Sequence, residues 1–226
     1  MNTEKMTLLN YLADATKNNQ EIPSIAELSN ILGISIASVR EQLEVARQLG
    51  FVEVRPRTGI QCKEFSFAPL LNLGMAFGLR KEPNLVSDYI DLRAHLEMSY
   101  FDKAISLLAD EQFDYMQFLV DVAFRKLQRK PAIIPVEEQS EYHLTIFRPL
   151  ANKVLTNLLE VYWDLASVYG GKLFNDLDEM LSAWSKRQFI VDALREKQFD
   201  LGKNALESLL VNPIKPKEAE IKTRFE

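Results

Sequence analysis

One cysteine, two histidines and no run of about 20 apolar residues exclude several classes of protein for this 226-residue chain. Cys62 has no second thiol to pair with, and nothing near it gives zinc-ligand spacing, so it reads as an inert thiol on a strand. The missing apolar run leaves no candidate membrane span, and no membrane partner is expected. The opening MNTEKMTLLNYLADATKNNQ lacks both the basic and the apolar region of a secretory leader, so a cytoplasmic location is expected. Lysine and arginine (27) are outnumbered by aspartate and glutamate (32), for a net charge of -5. A surface that coats nucleic acid everywhere is thereby excluded, and any contact with DNA must be local. Nucleophile elbows, phosphate loops and paired metal motifs are lacking too, so the chain is not expected to be an enzyme. With only 8 glycines and 9 prolines it is not a low-complexity or fibrous chain either.

What is present is 47% apolar and 10% aromatic residues, enough for a packed, helix-rich core, over a length that suits a small domain followed by a larger one. Apolar residues Leu8, Leu9, Leu12, Ala13 and Ala15 recur at helical spacing from Met6 to about Lys17. Ser24 and Glu27 form a Ser-x-x-Glu capping box that starts a second helix. Gly33 ends it, and Ser35 caps a third helix running to Gly50. FVEVRP and IQCKEF then alternate apolar and polar residues about the Thr58-Gly59 turn, which predicts a small β-hairpin. Beyond a linker helix bracketed by Pro69 and Pro83, helical segments are expected over 85–109, 111–129, 136–150, 152–170, 175–197 and 199–211. The predicted class is mainly α: an N-terminal winged helix-turn-helix and a C-terminal antiparallel bundle of about six or seven helices. The expected divisions are 1–66, a linker over 67–83, a helical domain over 84–212, and a charged, proline-containing tail over 213–226 that is frayed or loosely docked.

In a helix-turn-helix the second helix enters the major groove while the first crosses the backbone. Here that second helix begins at Ser35. Its first turns present Ser35, Ile36, Ser38 and Arg40, while Val39, Leu43 and Ala46 lie on the opposite stripe. Serine hydroxyls suit phosphate oxygens, and Arg40 reaches a phosphate or a guanine edge. Ser24 and Arg47 are further candidate contacts, and Arg55, Arg57 and Gly59 place charge and a tight turn on the wing. Between residues 34 and 63 Arg40, Arg47, Arg55, Arg57 and Lys63 stand against Glu41, Glu44 and Glu53, a weak basic excess. Plain helix packing remains an alternative, with Arg40 and Glu44 as an i,i+4 surface pair.

The run IPSIAELSNILGISIASVREQLEVARQLGFVEVRPRTGI resembles the winged-helix domain of the GntR family of regulators. Pro23, Ser24, Glu27, Leu28, Gly33, Ser35, Val39, Arg40, Leu43, Gly50 and Gly59 all fall on that family's pattern. The resemblance implies a double-stranded DNA partner. Two departures matter: Ala26 and Ile36 stand where the family carries arginines, which implies fewer phosphate or base contacts. Ile36 retains the capacity to touch a thymine methyl.

The helical region resembles, more loosely, the bundle of the FadR-like subfamily, through Asp91-Leu92-Arg93, Leu96-Glu97, Tyr142-His143, Asn152 and Ala193. That bundle binds effectors, often carboxylates, and in many members holds a metal on one Asp and three His. The corresponding positions here are Gln139, His143, Arg187 and Leu209, and His95 and His143 are the only histidines, so neither a metal nor another cofactor is expected. A guanidinium binds a carboxylate without a bridging metal. The resemblance therefore implies a small anionic effector held by Arg93 and Arg187, with Gln139 and His143 as orienting donors. The competing reading pairs Arg93 with Glu97, solvates Arg187 and buries His143 as a satisfied interior residue. Asp91 and His95 read as a surface pair, and Tyr142, Phe147, Tyr162, Trp163, Tyr169, Phe174, Trp184 and Phe189 read mainly as core. The function so implied is that of a homodimeric regulator whose ligand shifts the two DNA readers. Rival readings are a DNA-bound dimer with a filled pocket and an enzyme with Asp91, His95 and His143 around a metal.

Overall fold

The computed structural model describes residues 7–55, 59–169 and 177–211. Arg57, Thr58, Phe174 and the tail from 212 onward lie outside the described residues. The chain divides into two compact units, Met1–Leu73 and Gly74–Glu226.

The first unit contains helices α1 (Thr7–Lys17), α2 (Ile25–Leu32) and α3 (Ile36–Gln48) and strands β1 (Val52–Arg55) and β2 (Gly59–Cys62). Both predicted caps form. The Ser24 backbone N–H donates to Glu27 Oε2 at 2.9 Å while Ser24 Oγ accepts from the Glu27 N–H at 3.4 Å. Ser35 Oγ accepts from the Ser38 N–H at 3.1 Å. These bonds satisfy N–H groups that a helix start would otherwise leave open. Gly33 takes the left-handed conformation at φ 65, which turns the chain from α2 into α3. Leu8, Leu12, Leu28, Val39, Leu43, Ala46, Val52 and Ile60 form one buried cluster, so the apolar stripes of three helices and both strands close on each other. Polar bracing supplements it: the Leu8 N–H donates to Gln42 Oε1 at 3.1 Å, joining the start of α1 to the middle of α3. The hairpin is antiparallel, with Val52 opposite Cys62 and Arg55 opposite Gly59.

Gly50 admits no other residue easily. It has φ 77, and a Cβ there would lie 2.6 Å from Pro69 Cγ. Helix α4 (Ala68–Lys81) carries the boundary between the units.

The second unit is an all-helical bundle of α5 (Leu85–Ile105), α6 (Asp110–Leu127), α7 (Val136–Phe147), α8 (Lys153–Tyr169), α9 (Leu177–Arg195) and α10 (Phe199–Val211). The element types and order follow the sequence expectation. Several ends are shorter: α5 stops at Ile105 rather than 109, and α7 at Phe147, after which a 3-10 turn runs over Arg148–Leu150. Pro149 cannot donate a helical hydrogen bond, which explains the second change. Helix α9 packs on α6 and α10, and α7 packs on α5, α6 and α8. Phe101, Met116, Tyr142, Phe147, Leu159, Trp184 and Ile190 lie in the core between them. Among the described residues no helix is long and apolar enough to cross a membrane.

Candidate functional site

Burial of Val39, Leu43 and Ala46 at the intervals of one helical face fixes the rotation of α3, and its opposite face stays open. On that open face Ile36, Ala37, Arg40 and Glu41 are exposed over the first turns, and Ser38 is half-buried. Arg40 has no side-chain partner among the described residues. Glu44 does not pair with it. Instead Glu44 accepts two hydrogen bonds from Arg47, at 2.8 and 2.6 Å, and one from Gln48 at 2.7 Å. Those bonds, Arg47 first, hold the Glu44 carboxyl down at about 2. Arg47 is therefore an engaged cation a full turn and more from Arg40, and Arg40 is the unengaged one. On the wing Arg55 forms a 3.0 Å ion pair with Glu53, and Gly59 is exposed at the start of β2. Ser24 and Ser35 are both exposed, each with its hydroxyl used as a helix cap.

In the second unit three helices bring one charged chain together, and a fourth flanks it with aromatic rings. Arg93 Nε donates to Glu97 Oε1 at 2.6 Å along α5. His143 Nδ1, on α7, lies 2.9 Å from Glu97 Oε2, and His143 Nε2 lies 3.3 Å from an Nη of Arg187 on α9. One tautomer serves both contacts. Nδ1–H donates to the carboxylate and Nε2 accepts from the Arg187 guanidinium, so the Arg93 Nη that lies 3.1 Å from Nδ1 finds no acceptor there. Arg93 is flanked by the Tyr162 and Trp163 rings of α8, with its guanidinium carbon 4.2 and 4.3 Å from their centroids, and Arg187 lies 4.9 Å from the Trp184 ring. All four charged or polar members are buried, Arg187 to 4% exposure and His143 to 1%.

The electrostatics of the cluster are unequal. Burial opposes ionisation of Glu97, but Arg93 and then His143 outweigh it and hold the carboxyl at about 2. Burial pushes His143 down to about 4, with Arg93 and Arg187 adding to that against Glu97. Burial likewise lowers Arg187 to about 10. At neutral pH the cluster thus holds two cations, one anion and a neutral imidazole, an interior surplus of one positive charge. Arg187 Nε–H and Trp163 Nε1–H are buried without a partner among the described residues.

Arg187 also borders a void of about 20 Å³ between α7 and α9, shared with Pro135, Gln139, Met180 and Trp184. That is room for about one water molecule. The structure therefore brings Arg93, His143 and Arg187 into one hydrogen-bonded chain and puts Gln139 on the void rather than on the chain. Arg187 is interior, not solvated, and Arg93 does pair with Glu97. The cluster's carboxylate is legible in the sequence as the i,i+4 spacing of Arg93 and Glu97 and as part of Leu96-Glu97 in the bundle resemblance. Leu209 is half-buried against the apolar core. Asp91 and His95 form an exposed pair, with His95 Nδ1 3.5 Å from Asp91 Oδ2. Among the described residues no group of three or more His, Cys, Asp or Glu side chains is placed to hold a metal.

These two units define a winged helix-turn-helix followed by an all-helical bundle. Streptococcus agalactiae GntR shares that architecture, with a TM-score of 0.68 over 92% of this chain and 97% of that one at 19% identity. The match establishes the fold. Escherichia coli McbR/YncC aligns over 93% of this chain and 95% of that one at 17% identity, with a TM-score of 0.46. A transcriptional regulator (GntR family member) from Pseudomonas syringae aligns over 93% and 81% at 16% identity, with a TM-score of 0.45. No family model and no curated protein matches the sequence.

Proposed function

We propose that this chain is a cytoplasmic, homodimeric, DNA-binding transcription regulator of the GntR type. The observation that carries the reading is α3 itself: a capped helix, clamped on one side by Val39, Leu43 and Ala46, whose other side offers an unengaged Arg40 to a duplex. Ser24, Ser35, Ser38, Arg47, Arg55, Arg57 and Gly59 supply phosphate and wing contacts around it. Paired copies of this unit bind two half-sites about one helical turn apart. A footprint on fragments of the source genome tests this: two protected segments spaced by about 10 base pairs support the reading, and uniform or absent protection refutes it.

The bundle senses a small anion, a carboxylate in the first instance, through Arg187 and Arg93, with Gln139 and His143 orienting it and no metal taking part. The support is electrostatic: a surplus interior cation, and an unbonded Nε–H on Arg187, a residue that also lines a void. To act, the anion must bind the two dimer geometries with different affinity. Thermal melts against a panel of mono- and dicarboxylates, with native mass spectrometry of the purified protein, test it. A stabilising carboxylate supports sensing. A second reading, a DNA-bound dimer with a filled pocket, is favoured by the one-water size of the void and predicts no shift with any of them.

A further inference from the structure

The reading face of α3 opens on aliphatic side chains. Ile36, its first residue, is 44% exposed, and Ala37 beside it is exposed as well. Neither takes part in the core cluster that Val39, Leu43 and Ala46 join. The polar group next to them is engaged as an acceptor, since Ser35 Oγ takes the Ser38 N–H to cap the helix. The Ser35 O–H is left for a phosphate, and the side chains that α3 offers to a base edge over its first two residues are hydrocarbon. In the major groove a base pair offers one apolar feature, the C5-methyl of thymine. Ile36 suits it: a β-branched side chain is stiff about χ1, so its methyl groups are held in place before contact. Arg40, one turn further along the same face, has the fork that fits guanine O6 and N7.

We infer that Ile36, with Ala37, is a specificity-determining residue that reads thymine methyl groups, and that each half-site pairs this thymine with a guanine read by Arg40. The inference rests on the DNA-binding reading above. Four residues of helix advance about 6 Å, so the guanine lies about two base-pair steps from the thymine.

The test uses the full chain. A half-site is first selected from a pool of random duplexes. Its thymines are then replaced one at a time by deoxyuridine, which keeps the hydrogen-bonding edge and removes only the methyl. At fixed salt the wild type is expected to lose about fourfold in affinity for the methyl that Ile36 meets. Ile36→Ala should bind thymine and uracil duplexes alike, and Ile36→Val should keep the discrimination. Because Ile36 lies outside the core, all three proteins should melt together. Equal binding of both duplexes by the wild type overturns the inference and leaves DNA binding standing, as does full methyl dependence in Ile36→Ala. Failure to select any duplex overturns both.

Discussion

Arg187 and Glu97 are both buried ions, yet their removal should cost different amounts. Glu97 is the only carboxylate of the cluster and balances Arg93 at 2.6 Å, so Glu97→Gln leaves two interior cations uncompensated. Removing one partner of a buried pair costs about 3 kcal/mol or more. Arg187 hydrogen-bonds to an imidazole and to no carboxylate among the described residues, so Arg187→Met removes the surplus charge and costs about 2 kcal/mol less than Glu97→Gln, as read by urea unfolding. The same arrangement fixes an acid sensitivity. His143 titrates at about 4 when folded against 6.5 when unfolded, so from pH 6.5 down to 4 the unfolded chain binds more protons and stability falls with pH. The slope is about 1.4 kcal/mol per unit in mid-window. Below that Glu97, at about 2 against 4.5, adds a loss of the same sign. His143→Gln should flatten the slope between pH 4 and 6.5 in unfolding measured across that range. Arg93, Gln139, His143 and Arg187 are legible through the bundle resemblance, but the depth of Arg93 and Arg187 is not: Arg93 and Glu97 have the spacing of an ordinary solvated pair, and only tertiary packing of α7, α8 and α9 encloses them.

The elements were more legible, because caps and glycines act locally. Ser24 with Glu27, Gly33 and Ser35 announce the start and stop of α2 and α3 without help from distant residues. Two glycine substitutions separate local from tertiary constraint. Gly33 and Gly50 are both left-handed, at φ 65 and 77, but a Cβ at Gly33 meets open space whereas one at Gly50 meets the Pro69 ring. Gly33→Ala should cost about 1 kcal/mol and Gly50→Ala clearly more, measured by melting of the two variants. The second cost depends on a residue 19 positions away and was not readable. Helix ends are less legible for a related reason: Leu107 and Leu108 continue an apolar pattern past Ile105, yet the chain there already turns. Glu44 chose Arg47 over Arg40, since both spacings are allowed on a helix and only the built geometry decides between them.

For the whole molecule, a net charge of -5 is compatible with the proposed DNA-reading role, which asks only for a few local cations, Arg40 first among them. The bundle's charge surplus is interior and so cannot steer DNA. On the proposed reading it acts on an anion that enters the bundle. The direct test is equilibrium anisotropy of the full chain with the footprinted duplex over a salt series, comparing wild type with Arg40→Ala. The account predicts that log affinity falls linearly with log salt and that Arg40→Ala weakens binding by about 1 to 3 kcal/mol while the protein's melting temperature is unchanged. Binding that ignores salt, or an Arg40→Ala protein that binds that duplex as wild type does, would contradict it.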